Sequence, residues 1–281
     1  MDANSIFNLL TWKLAVPAAT TVVALLMLKR IVADRYSYSI ALAAGLLAGS
    51  LHDWASFFPQ RHYQWIPWLP ILVLIPLGLS LAEKVHHAER IAALLFASVV
   101  AAWFITPTWS RLDDTRTALV VSLAVGTWGL CCVVELLANR LSSRWFLTLM
   151  TVSLTALAGI VMLFMSGRFG EIPLCGAGAF AGITLLSLRA NNRIASQAAG
   201  PLGAILLSTA AFISFIEPDP PNYVFLLPLA APITLLPFVV GPLRDRQTKK
   251  LCIAQLILFL AIFGATAAWL QLSVDPTASQ Y

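Results

Sequence analysis

Charge is what this chain has least of: only 11% of its 281 residues are Asp, Glu, Lys or Arg, against roughly 25% in an ordinary soluble domain. Hydrophobic residues make up 59% and the mean hydropathy is +0.82. A chain so apolar would aggregate in water, so the bilayer is its expected solvent. Long polar connectors are missing as well. Ten spans of about 20 residues use about 200 positions and leave about 80 for all loops and both tails. That excludes a separate soluble domain, and with it a built-in nucleotide-hydrolysing motor, so residues 1–281 read as a single integral membrane domain.

Cysteine is scarce, with 4 in all. Cys131 and Cys132 are adjacent, while Cys175 and Cys252 stand alone in apolar segments, a placement that excludes a disulfide framework. Buried thiols packing as small hydrophobes is the expected role. Catalytic and ligand signatures are absent too: there is no GxxxxGK(S/T), HExxH, GxSxG or CxxC. No cofactor, metal site or catalytic set is therefore expected. The net charge of +5 does not point to nucleic acid, because the Lys and Arg residues lie in short clusters at span ends rather than on one face.

The apolar segments that fill the chain run over Trp12–Leu28, Ser39–Phe58, Trp65–Ala82, Ile91–Ile105, Thr117–Leu137, Trp145–Ser166, Ile172–Leu188, Ile194–Ile216, Tyr223–Leu243 and Leu251–Leu272. They predict an all-α polytopic transmembrane bundle of about ten spans with lipids as constant partners. The first segment follows an acidic start and meets Lys29 and Arg30 with no small-residue cleavage site, so a retained helix is expected rather than a removable signal.

Basic flanks set the orientation. Connectors after the odd-numbered spans hold 13 of the 18 Lys and Arg, from Lys29 and Arg30 to Lys249 and Lys250. The opposite side holds the other 5, Lys13, Arg61, Arg111, Arg116 and Arg168. The richer side belongs in the cytoplasm and both termini outside, most simply in a bacterial cytoplasmic (inner) membrane. Trp54, Trp65, Trp68, Trp109, Trp145 and Trp269 fall near span ends, where amphipathic rings favour the headgroup layer.

A weak internal repeat is visible. Pro67 and Pro76 in span three are spaced like Pro228 and Pro237 in span nine, and the preceding spans carry Ala43, Ala44, Gly45 and Ala198, Ala199, Gly200. Spans one to four would then echo spans seven to ten, as in transporters built from repeats.

The candidate functional residues are the exceptions to apolarity. Pro67, Pro70 and Pro76, and Pro228, Pro232 and Pro237, lack an N–H and crowd the carbonyl one turn earlier. They mark candidate broken helices, which in a bilayer must be buried in protein or line a cavity. Gly45 and Gly49, and Gly178 and Gly182, form two GxxxG motifs that let backbones pack closely. An intramembrane charge costs about 2.5–3.5 kcal/mol at mid-bilayer unless paired or wetted. His52, Asp53 and Lys13 share one depth near the outer surface, and Lys13 and Asp53 are expected to pair. Glu135 stands near the inner end of span five beside Asn139 and Arg140, and Glu217 and Asp219 belong to a solvated connector. The segment Glu83 to Arg90 reads as a charged helix end rather than a metal site.

The function these features favour is a permease-type transporter of a small solute or ion, with Asp53 and Glu135 as coupling candidates. The alternative is a non-transporting scaffold, working as a homo-oligomer or with a partner membrane subunit. An intramembrane enzyme acting on lipid-like substrates ranks third.

Overall fold

A computed structural model describes residues 3–50, 58–76, 86–188, 193–240 and 249–273. Its described residues form helices and turns with no strand. The chain begins with α1 (Ala3–Leu10), a π turn (Thr11–Ala15) and α2 (Val16–Leu28), which together give a span over Ile6–Leu28. That span starts earlier than the apolar run beginning at Trp12 suggests, because Ile6, Phe7, Leu9 and Leu10 extend the hydrophobic surface by more than a turn.

After α3 (Asp34–Ser50) come a 3-10 helix (His62–Trp68) and the short α4 (Leu69–Leu72). Long helices follow: α5 (His87–Ile105), α6 (Arg116–Arg140), α7 (Ser143–Phe164), α8 (Gly167–Ser187) and α9 (Arg193–Ile216). The segment from Tyr223 to Val240 is broken into 3-10 helices (Tyr223–Ala230 and Ile233–Leu235) and α10 (Leu236–Val240), and α11 (Lys249–Ser273) closes the described chain. Eight of these segments are long and apolar enough to cross a membrane. Among the described residues, α3 and the 62–76 segment fall outside that count, because the described part of each is too short.

Local signals explain several starts. His86 and Glu89 form a capping box at the start of α5, where the His86 N–H donates to Glu89 Oε2 at 3.1 Å. Ser166 caps α8 by accepting from the Phe169 N–H at 3.4 Å. Prolines account for the tighter segments. Pro67 and Pro228 lie inside 3-10 helices, Pro70 is in the first turn of α4, Pro232 precedes Ile233–Leu235, and Pro237 is the second residue of α10. Each lacks the N–H an α-helix would use. Shorter-range bonds appear instead, with Ala231 N–H to Pro228 O at 3.1 Å and Leu235 N–H to Pro232 O at 3.2 Å. Pro76 is buried at the end of the described part of that region.

The core is built around α9, whose apolar window is 100% buried within the protein. Small residues make this possible. A side chain at Gly203 would come within 2.5 Å of Met150 Cε and 2.9 Å of Phe180 Cζ, so α7 and α8 close directly over the α9 backbone. Hydroxyl and amide bonds join α9 to α6 and α7: Thr127 to Ser208 at 2.9 Å, Ser143 with Ser196 at 3.2 Å, and Gln197 to Asn139 at 2.6 Å. These bonds satisfy polar groups that lipid could not.

Both GxxxG motifs close on the first span. A Cβ at Gly45 would overlap Thr21 Oγ1 and lie 2.7 Å from the Pro17 carbonyl, while one at Gly178 would lie 2.5 Å from the Leu14 carbonyl. At Gly182 it would lie 2.6 Å from the Ala18 carbonyl. Backbone therefore meets backbone along the α2, α3 and α8 interfaces, and these four glycines are occupied by contacts inside one chain.

Candidate functional site

That close packing places a charge. Pro17 offers no N–H to the carbonyl of Lys13 and crowds it, and the helix widens into the π turn, where the Val16 N–H bonds Thr11 O. Single widened turns of this kind recur at functional sites. Lys13 lies in the widened turn and is only 5% exposed. Its Nζ donates to the Gly49 carbonyl at 3.1 Å and stands 3.2 Å from Glu171 Oε2. The approach to Gly49 requires glycine, since a Cβ there would meet Pro17 Cγ at 2.5 Å and Cys175 Sγ at 2.8 Å.

Glu171 is the residue sequence reasoning missed. It precedes the apolar run beginning at Ile172 and so looked like part of a connector. In the structure α8 begins at Gly167, which puts Glu171 a full turn inside the helix. Ser166, a favourable cap residue just before it, was the available signal. Asp53 and His52 lie outside the described residues, so the expected pairing of Lys13 with Asp53 has no described geometry; Glu171 is a described ion-pair partner of Lys13.

Beside this pair is a small cavity of about 30 Å³, lined by Lys13, Ser50, Tyr63, Arg168, Glu171, Ile172 and Cys175. Tyr63 forms a wall of a second, larger cavity of about 380 Å³, lined also by Arg61, His62, Thr108, Trp109, Phe169 and Glu217. The 3-10 helix His62–Trp68 holds His62 and Tyr63 in position. His62 meets Tyr63 and Trp109 edge-on with ring centroids 5.6 Å and 5.0 Å apart, and Tyr63 meets Phe169 at 5.2 Å. The Arg168 guanidinium lies 5.8 Å from the centre of the Tyr63 ring, near enough for a cation–π attraction.

The connector residues Glu217 and Asp219 do more than meet water. Glu217 Oε1 is 3.2 Å from His62 Nε2, and Arg111 ties the rim by donating to the Ile216 carbonyl at 3.0 Å and lying 3.4 Å from Asp219 Oδ2. Arg111 also stacks on Trp109 at 4.5 Å. Four of the five basic residues on this poorly charged end, Lys13, Arg61, Arg111 and Arg168, thus gather at one polar cluster.

The opposite end differs. Glu135 forms an ion pair with Arg90 of α5, not with the nearby Arg140, while Asn139 accepts from Gln197. Arg144 donates to the Ser187 carbonyl at 3.1 Å. These contacts tie helix ends together. A third cavity of about 390 Å³, lined by Leu119, Leu123, Gly126, Phe212 and Leu226 among others, is mainly apolar. Among the described residues no group of three or more His, Cys, Asp or Glu could hold a metal.

The arrangement can bind water or a small polar group close to the Lys13–Glu171 ion pair. No family model, curated protein or solved structure matches this chain.

Proposed function

We propose that this chain is a permease-type membrane protein that moves a small solute or ion, with no motor of its own. The Lys13 end faces outward, both termini lie outside, and the fold has about ten spans in a bacterial cytoplasmic membrane. One observation supports this most: the ion pair of buried Lys13 with partly exposed Glu171 adjoins a water-sized cavity, and Tyr63 lines both that cavity and a larger polar vestibule. A structural ion pair would be stable without such space, whereas a transported polar group needs both room and a compensating charge. The proline-broken segments at 62–76 and 223–240 are the moving parts in this reading, and the repeat relating spans one to four with seven to ten would pair them. On sequence grounds Asp53 and His52 remain coupling candidates beside Glu171, and Glu135 with Arg90 is the inner counterpart.

A second reading, a non-transporting subunit working as a homo-oligomer or with another membrane chain, draws support from the filled centre around α9. Purified protein in vesicles separates the two. A panel of small charged and polar solutes, measured by solute-driven currents or uptake, should contain at least one active member whose signal is lost in Glu171→Gln. If every solute is silent while a membrane partner co-purifies in fixed ratio, the subunit reading replaces transport.

A further inference from the structure

Two hydroxyls on the wall of the small cavity lack a partner among the described residues. Ser50 and Tyr63 are each 4% exposed, and the Ser50 Oγ and Tyr63 OH have no hydrogen-bond partner among the described residues. Both line the space beside Lys13 and Glu171. A buried hydroxyl without a partner is costly, and two on one cavity wall favour solvent between them. The space of about 30 Å³ exceeds the roughly 10–15 Å³ that one water requires. The polar partners that an internal water needs are present in the two hydroxyls, the ammonium and the carboxylate.

We propose that this cavity is a resident water site, in which one or two molecules join the Ser50 and Tyr63 hydroxyls to the Lys13–Glu171 pair. Tyr63 is its door to the vestibule, because it is the residue common to both cavities. The water keeps the ion pair hydrated while it is buried by protein. It also marks where the hydroxyl or charged end of a solute would first displace solvent. The inference shares the vestibule with the permease reading but not its test, since hydration is measured without any solute.

Radiolytic hydroxyl-radical labelling of the full-length protein in lipid nanodiscs, read by mass spectrometry, tests it. Radicals formed from a bound water label the side chains that touch it. Cys175 and Tyr63 should be oxidised several-fold faster than the similarly buried Cys131 and Tyr38. Equal rates within each pair would mean a dry cavity and overturn the proposal, whatever the solute assay finds. Ser50→Val, which fills the space and removes one hydroxyl, should bring Cys175 down to the Cys131 rate; unchanged fast labelling would place the water elsewhere. Tyr63→Ala should open Cys175 to a water-soluble methanethiosulfonate reagent while Tyr63→Phe does not. Equal reactivity of the two variants would show that Tyr63 is no door.

Discussion

Removing one partner of the Lys13–Glu171 pair should be unequal in cost, and the inequality follows from burial. The Lys13 side chain is 6% exposed and that of Glu171 28%. In Glu171→Gln the ammonium loses a carboxylate and stays buried, keeping the Gly49 carbonyl among its described partners. In Lys13→Met the carboxylate is left, but it can hydrate through its exposed part. Breaking a fully buried pair costs about 3–5 kcal/mol. Partial exposure of Glu171 lowers that to about 2–3 kcal/mol for Glu171→Gln and about 1 kcal/mol for Lys13→Met. The double variant leaves neither charge behind and should cost about 1–2 kcal/mol less than the sum of the singles. Reversible unfolding in mixed micelles, followed by Trp fluorescence, gives all three values. Additivity within about 0.5 kcal/mol, or a larger cost for Lys13→Met than for Glu171→Gln, would refute this reasoning.

Glycine positions give a sharper contrast. Gly178→Leu would drive a side chain into the Leu14 backbone, whereas a Cβ at Gly126 meets nothing within 4 Å. The first should therefore abolish a monodisperse peak in detergent size-exclusion chromatography, and Gly126→Leu should leave it intact. Glu135→Gln should destabilise by about 2 kcal/mol, because Arg90 loses its charged partner in a largely buried setting; micelle unfolding checks this, and no change would mean the pair is wet. Gln255→Leu removes the acceptor of the Trp145 indole N–H, a 2.8 Å bond between α11 and α7. Interhelical hydrogen bonds in membrane proteins average about 0.6 kcal/mol, so a small loss with a shift in Trp fluorescence is expected.

How far the chain could be interpreted before its structure depended on the range of the interaction. Long apolar helices such as Arg193–Ile216 follow from hydropathy alone, since the bilayer demands length and internal backbone bonding. The proline-bearing segments showed as irregular for an equally local reason. GxxxG spacing marked Gly45, Gly49, Gly178 and Gly182 as packing sites, but which helix they receive is a tertiary fact: both motifs converge on the turn around Pro17. The ion pair shows the limit most clearly. Lys13 stood out as a charge in an apolar run, while Glu171 was hidden by a boundary drawn at the first hydrophobic residue instead of at the Ser166 cap. Glu135 stands beside Asn139 and Arg140 in the sequence, yet α5 brings its partner Arg90 from 45 positions away. The vestibule could not be foreseen at all, because its walls come from four separate stretches of chain.

The central claim is a membrane-threaded bundle whose Lys13 end opens to the outside. Its most direct test is cysteine labelling in intact cells with a membrane-impermeant maleimide, in a background with the four native cysteines replaced by alanine. Ser110 and Ser142 are both exposed and lie at opposite ends of the bundle. Ser110→Cys should label in intact cells, and Ser142→Cys only after permeabilisation. Labelling of position 142 from outside, with position 110 protected, would contradict the account.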